Sequence, residues 1–158
     1  MTENKSLSQA MKNAVGQTFE NMAFIEVAEH YNQDYEIPAN DLIWAYLMIL
    51  DPLQGELRLA LPKSTLRELT GSVFSLEDTE ITQAQMDDIL HEILNTVAGL
   101  FMTNLLPDSQ QYKIGLPEQG SGDLPKNDED TICWKMITSD ENALQVYLCG
   151  ASFTALNP

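Results

Sequence analysis

Residues 86–99 read MDDILHEILNTVAG, and this stretch determines the predicted fold more than any other part of the chain. Its apolar residues recur every three or four positions, which predicts an amphipathic helix. Thr82 and Gln85 precede the run with the spacing of a capping box, and Pro107 follows Leu106. We therefore expect one long helix that begins after Thr82 and ends near Leu106.

A helical wheel at about 100° per residue divides this helix into two faces. With Asp88 at zero, Glu92 lies near 40° and Asn95 near −20°, opposite an apolar stripe between roughly 100° and 220°. Gly99 and Met102 fall on the same side as these polar residues. A glycine inside a helix lowers helix stability by about 1 kcal/mol relative to alanine, and the close approach of a partner would explain why a glycine is found here. A methionine offers such a partner an adaptable apolar contact. The wheel alone leaves two interpretations open, a solvated face or a docking surface.

Helical and strand patterns alternate along the remainder of the chain. A hairpin pairs adjacent antiparallel strands, so the pattern favours a mostly antiparallel sheet with helices gathered on one face. We predict an α+β fold with two layers and a single domain over residues 1–158. The predicted elements are a helix over 6–29 capped by Ser6 or Ser8, strands over 42–50 and 56–62, a helix over 64–74 capped by Ser64, the long helix, and strands over 111–117, 131–138 and 143–151.

Composition excludes several classes of function. The formal net charge of −16 argues against nucleic-acid binding, which needs a basic surface, and against docking on anionic membrane. The chain shows neither an apolar signal core nor a run long enough to span a bilayer, so we expect the cytoplasm. Cys133 and Cys149 sit in strand patterns without metal-ligand spacing, which predicts buried reduced thiols and no metal site.

The polar residues of the long helix also carry a family resemblance. The spacing Asp88-x3-Glu92-x2-Asn95, with Pro117 after 21 further residues, resembles the signature of the CheC/CheX/FliY chemotaxis phosphatases. The run HEILNTVAGLF is similar to the Glu-x2-Asn-x3-Gly segment of that family, and GELRLALPKSTLRELTGSVF is similar to the strand and helix before it. The resemblance covers residues 10–155 and is weakest at both ends.

The resemblance implies a specific fold and activity. These proteins form a sheet with two long helices on one face in a pseudo-two-fold arrangement. They remove the phosphoryl group from the aspartyl phosphate of CheY-like response regulators. Glu92 would then contact a lysine of the regulator, and Asn95 would orient the attacking water. The divalent metal would belong to the regulator, so the chain would need no cofactor of its own.

The remaining motif positions have less defined roles. Asp88 either helps to orient the regulator's lysine or is a solvated charge, and Pro117 is expected to shape a strand end. In the first helix Gln17 and Glu20 stand where some family members carry a second motif, so we expect one active site. The single-site pattern is closer to the CheX branch, which forms homodimers, and the analogy extends to a homodimer here.

The chemistry of an amide suits the activity that the resemblance implies. An acyl phosphate is already activated, so catalysis mainly needs a water positioned in line with the leaving oxygen. An amide can hold that water through one donor and one acceptor, and it adds no negative charge beside the phosphoryl group. The alternative is a catalytically silent adaptor with the same fold, which docks on a signalling or flagellar-switch protein. Such an adaptor would have no need for Asn95.

Overall fold

One seven-stranded sheet and four α-helices make up residues 6–156, the part of the chain that this computed structural model describes. The helices are α1 (Leu7–Ala23), α2 (Lys63–Phe74), α3 (Gln83–Leu105) and α4 (Ala151–Thr154). The strands are β1 (Val27–Glu29), β2 (Leu42–Asp51), β3 (Gly55–Pro62), β4 (Lys113–Ile114), β5 (Glu118–Gln119), β6 (Thr131–Thr138) and β7 (Ala143–Cys149).

The order of the strands shows the internal symmetry of the fold. It is β1-β6-β7-β3-β2-β4, with β5 also paired to β2, and the strand pairings are antiparallel. Each long helix, α1 or α3, is followed by a short strand that pairs with the hairpin of the other half. A pseudo-two-fold axis therefore passes between β3 and β7, and the predicted α+β fold is confirmed.

Strand alternation places the core between the sheet and the long helices. In β3, Leu57, Leu59 and Leu61 are at most 1% exposed and belong to the main core, whereas Ala60 belongs to a second, smaller cluster on the other face of the sheet. The apolar stripes of α1 and α3 pack on the main core. Burying one such leucine contributes about 1.5–3 kcal/mol, so this layer is the chief source of stability.

The predicted ends of α3 are confirmed by its capping interactions. The Thr82 hydroxyl accepts a hydrogen bond from the Gln85 amide at 3.2 Å, and the Gln85 side chain accepts one from the Thr82 amide at 2.9 Å. The helix ends at its C-cap Leu106, before Pro107. These local contacts fix where α3 starts and stops.

The first helix is shorter than the prediction over residues 6–29. Ser6 caps α1 as expected, but the helix ends at Ala23, and Phe24 takes a left-handed backbone conformation. Residues 27–29 form β1 instead and pair with residues 136–138 of β6. The backbone groups of these residues thus form hydrogen bonds with a strand that is distant in sequence, and no local sequence pattern reveals this pairing.

Two further predictions are wrong in detail. Of the strand predicted over 111–117, only residues 113 and 114 form a strand, β4; residues 115–117 have no regular secondary structure, and β5 follows them. Ser64 does not cap α2, because the helix begins one residue earlier and its N-cap is Pro62. The side chain of Asp41 instead accepts hydrogen bonds from the Ser64 amide at 3.3 Å and the Ser64 hydroxyl at 3.0 Å. The hairpin of β6 and β7 agrees with its prediction, except that β7 ends at Cys149 and residue 151 begins α4.

Candidate functional site

The exposed face of α3 carries the three predicted polar residues. Asp88, Glu92 and Asn95 are all solvent-exposed. Ile89 and Ile93, which lie on the opposite side of the helix, are 4% and 3% exposed and pack in the core. Residues three or four apart on a helix have Cβ atoms about 5–6 Å apart, so the three side chains form one continuous surface.

Glu92 is held by one neighbour but remains without an ionic partner. The hydroxyl of Thr96, one turn further along, donates a hydrogen bond to Glu92 Oε1 at 3.4 Å. Within residues 6–156, neither Glu92 nor Asp88 forms a salt bridge. Both carboxylates can therefore pair with a cation from another molecule. Thr96 was not among the predicted site residues, although its position four residues after Glu92 is the spacing at which helical side chains meet.

The amide of Asn95 is free in the described part of the chain. None of the side-chain hydrogen bonds between residues 6 and 156 involves its oxygen or nitrogen. An exposed carboxamide in this state offers one acceptor and two donor hydrogens to water or to a docked molecule. The face can therefore present a positioned amide next to a carboxylate, in a direction that the core packing of α3 fixes.

Gly99 has a neighbour within the chain that the sequence did not suggest. A Cβ atom placed on Gly99 would lie 3.4 Å from the hydroxyl of Tyr112 and would meet no other atom within 4 Å. Tyr112 itself is 36% exposed. The aromatic side chain thus ends beside the glycine, one turn beyond Asn95, and borders the polar face. Gly99 is only partly buried, so it also remains accessible from outside.

Met102 does not belong to the exposed face, and the predicted binding role is wrong for this residue. It is 0% exposed and lies in the main core. Leu94 and Ala98 are also fully buried, so the buried arc of α3 is wider than the wheel predicted. The physical reason is that α3 packs against α1 as well as the sheet. The side chain of Asn104 even donates a hydrogen bond to the Ala10 carbonyl of α1, at 3.4 Å.

Two other residues of this region, Pro117 and His91, lie in environments that indicate a structural role. Pro117 is partly buried and directly precedes β5, so it stands at a strand end. His91, on the flank of α3, is half-buried, and its Nε2 atom is buried without a hydrogen-bond partner within residues 6–156. An imidazole nitrogen without access to solvent is poorly placed to exchange protons with a substrate on the exposed face.

The described residues hold no group of three or more histidine, cysteine and acidic side chains that could bind a metal ion. Cys133 and Cys149 are both half-buried free thiols on β6 and β7. Burial raises the pKa of each thiol, which leaves little thiolate for reaction or metal binding near neutral pH. Within residues 6–156, no helix has the length and apolarity that a membrane span requires.

Comparison with known proteins gives one family and a set of related folds. The family model described as chemotaxis phosphatase CheX matches residues 43–132, which include the whole exposed face of α3. No curated protein sequence matches the chain.

Three solved structures illustrate the range of relatives. The chemotaxis protein CheX from Vibrio vulnificus is 15% identical, with a TM-score of 0.71, and the match covers 94% of this chain and 99% of that one. The CheX–CheY–BeF3–Mg²⁺ complex from Borrelia burgdorferi has a TM-score of 0.68 at 13% identity, covering 91% and 97%. The FliM–SpeE complex from Helicobacter pylori has a TM-score of 0.66 at 10% identity, covering 95% and 88%. At these identities the structural likeness shows the fold alone.

Proposed function

Because this chain belongs to the CheX family of chemotaxis phosphatases, whose model matches more than half of it, we propose that it dephosphorylates the aspartyl phosphate of a CheY-like response regulator. The observation that carries the proposal is the exposed pair of Glu92 and Asn95 on one helix face, where, among residues 6–156, the amide has no hydrogen-bond partner and the carboxylate has no cation. The Borrelia burgdorferi CheX was solved with CheY, which supports this class of partner.

Asn95 would act on water. Its side-chain oxygen would accept a hydrogen bond from the attacking water, and its NH₂ group would donate to a phosphoryl oxygen or a second water. A glutamine orients water in the same manner in GTPases. The reaction breaks the bond between phosphorus and the aspartyl oxygen and forms one to the water oxygen. The contribution of Asn95 is positional, for which several kcal/mol are available.

Glu92 would hold the two proteins in register. An exposed carboxylate with no cation partner among residues 6–156 can pair with a lysine of a docked protein, and complementary charge pairs of this kind fix the register of two proteins. The hydrogen bond from Thr96 restricts the rotamers of Glu92 before docking and so lowers the entropic cost of the contact. Asp88 lies one turn earlier on the same face. It either adds to the negative electrostatic potential around the regulator's lysine or remains a solvated charge, and both alternatives remain open.

The chain would use no metal of its own. The divalent ion that neutralises charge in phosphoryl transfer would be supplied by the regulator. We also propose, by analogy with the CheX branch, that the chain forms a homodimer and acts in the cytoplasm, where response regulators are phosphorylated. Gly99 and the exposed part of α3 around it would form the edge of the docking surface.

A second candidate is the silent adaptor. The fold is also that of Helicobacter pylori FliM, which was solved in complex with SpeE. An adaptor would use the same exposed face for binding but would not accelerate hydrolysis. The free amide of Asn95 favours the phosphatase, because a docking contact alone does not require an unpaired carboxamide at this position.

The direct test is loss of the phosphoryl group from a regulator. Response regulators from the source organism are phosphorylated with a small-molecule donor, the donor is removed, and the decay of the aspartyl phosphate is followed with and without the chain. We expect at least one regulator whose decay accelerates by about 10²-fold or more, the scale of a well-positioned polar group. Binding to a regulator without acceleration would favour the adaptor.

A further inference from the structure

A groove of about 680 Å³ lies between α2, the end of α1 and the turn that joins β6 to β7. Asp88, Glu92 and Asn95 do not line it. Its volume is within the range of roughly 300–1,000 Å³ that is typical of ligand sites. The groove is therefore large enough to bind another molecule separately from the polar face of α3.

Hydrogen bonds between side chains hold the walls of the groove in place. Arg67, on α2, donates to Asp78 Oδ1 at 2.7 Å and to the Asp78 carbonyl at 2.9 Å, which fastens the segment between α2 and α3. Asn142, in the β6–β7 turn, donates to Glu68 Oε2 at 3.2 Å and joins the turn to α2. A preformed cavity of this kind needs little ordering when a ligand enters.

An unsatisfied hydroxyl lies in the lining of this groove. Thr65 is 3% exposed, and its Oγ1 atom has no hydrogen-bond partner among residues 6–156. A buried polar group without a partner costs about 1–3 kcal/mol. Because the atom is buried, a ligand reaches it only after a small shift of the groove lining, and a hydrogen bond formed there would remove the cost.

An exposed aromatic residue stands at the rim. Phe24 is 91% exposed, and its φ of 57° and ψ of 36° place it in the left-handed region at the C-cap of α1. Glycine or asparagine normally occupies such a position, and another L-residue costs about 1–2 kcal/mol. Two unfavourable features, Phe24 and the Thr65 hydroxyl, thus border the same groove from opposite elements.

The charges around the groove indicate the chemistry of its occupant. Glu68, Asp78 and Asp140 line it with a single cation, Arg67, which already pairs with Asp78. The uncompensated charge is therefore negative, and it is joined by apolar side chains such as Leu76. Neither the local charge nor the net charge of −16 suits an anionic membrane.

We infer that this groove binds a segment of a partner protein in which a basic side chain lies next to an apolar one. The basic group would pair with Glu68 and Asp140, and the apolar side chain would contact Phe24 at the rim. A backbone or side-chain group of the segment would satisfy the Thr65 hydroxyl. A protein segment fits better than a small metabolite, because a molecule confined to the groove would leave the exposed ring of Phe24 in water.

The first experiment uses a fluorescent 12-residue peptide of lysine and leucine, with a glutamate and leucine peptide as the charge control. We expect the basic peptide to bind, with amide shift changes in NMR spectra confined to the groove. Phe24→Ala, and Glu68→Gln combined with Asp140→Asn, should each weaken binding about 10-fold. The matched control is Asp34→Asn with Asp108→Asn, two exposed carboxylates outside the groove. Equal weakening by this control would show non-specific attraction to an acidic protein and would overturn the inference.

The second experiment separates ligand binding from folding through Thr65→Val, a change of nearly equal shape. Since the hydroxyl has no hydrogen-bond partner among residues 6–156, the valine variant should be at least as stable towards urea as wild type. The same variant should bind the basic peptide about 5–10-fold more weakly, because the ligand loses its hydrogen bond. A variant that loses stability and keeps its affinity would contradict the role of Thr65.

Concentration-dependent burial of Phe24 without peptide would instead identify a second copy of the chain as occupant. Dephosphorylation of a regulator should not change in Phe24→Ala, so this inference and the proposed function fail separately.

Discussion

Substitution of Gly99 separates a requirement of the fold from a requirement of docking. A Cβ atom at Gly99 would lie 3.4 Å from the Tyr112 hydroxyl, which is ordinary van der Waals contact, and nothing else would lie within 4 Å. Alanine therefore fits, and as a better helix former than glycine it should raise the free energy of unfolding by about 0.5–1 kcal/mol. For a chain of this length that corresponds to a rise in Tm of roughly 1–4 °C.

Gly99→Leu should act differently. The side chain would displace Tyr112, which is 36% exposed and can move outward, so the free energy of unfolding should fall by less than about 1 kcal/mol. On the proposed docking face, however, the leucine would hold the regulator away, and we expect its affinity to fall about 10-fold or more.

The assay combines urea denaturation with fluorescence anisotropy of a labelled regulator in its BeF3-bound state. Tyr112→Ala combined with Gly99→Leu removes the internal contact and shows whether the loss of affinity depends on it. A loss of more than 1 kcal/mol of stability in Gly99→Ala would refute the predicted fit of alanine. Wild-type affinity in a folded Gly99→Leu variant would refute the docking role of this position.

Three further predictions follow from burial and charge. Met102→Ala should lower the free energy of unfolding by about 2–4 kcal/mol in urea titrations, because the side chain is fully buried. A change below 1 kcal/mol together with a loss of affinity for the regulator would instead indicate that Met102 contacts the regulator. Burial raises the pKa of Cys133 and Cys149, so the thiolate fraction of both residues at pH 8 should be low. Alkylation of these thiols, measured by mass spectrometry, should be at least 10-fold slower in the folded chain than in the urea-unfolded chain. Equal rates would contradict the burial. Glu92→Gln should weaken regulator binding about 5–10-fold at low salt and much less at high salt, with Glu118→Gln as control; a loss independent of salt would exclude an ionic contact.

The parts of the fold that the sequence predicts well depend on local interactions. The capping box of Thr82 and Gln85, together with Pro107, marks both ends of α3, because each signal acts within one helical turn. The two hairpins follow from pairs of apolar strand-like runs joined by short turns. The exposure of Glu92 and Asn95 follows from the apolar period of the same helix.

The parts that the sequence misses depend on distant contacts. A helical pattern continues from α1 through residues 25–29, but pairing with β6 makes residues 27–29 a strand. A wheel drawn for one helix with one apolar face cannot include the second face that α1 covers, and this explains the error at Met102. Tyr112 approaches Gly99 only because the chain turns back after α3, so no spacing within the helix indicates the contact.

The central claim is that Asn95 acts on the water that attacks the aspartyl phosphate, and Asn95→Ala tests it most directly. The side chain is exposed and makes no hydrogen bond within residues 6–156, so the fold and the regulator affinity should change little. The measurement is the single-turnover rate of dephosphorylation with the chain in excess over the phosphorylated regulator, at concentrations that saturate binding. We predict that this rate falls by about 10²-fold or more while the dissociation constant stays within about 2-fold of wild type. A saturating rate equal to wild type would contradict the claim and would make the adaptor the better account of the protein.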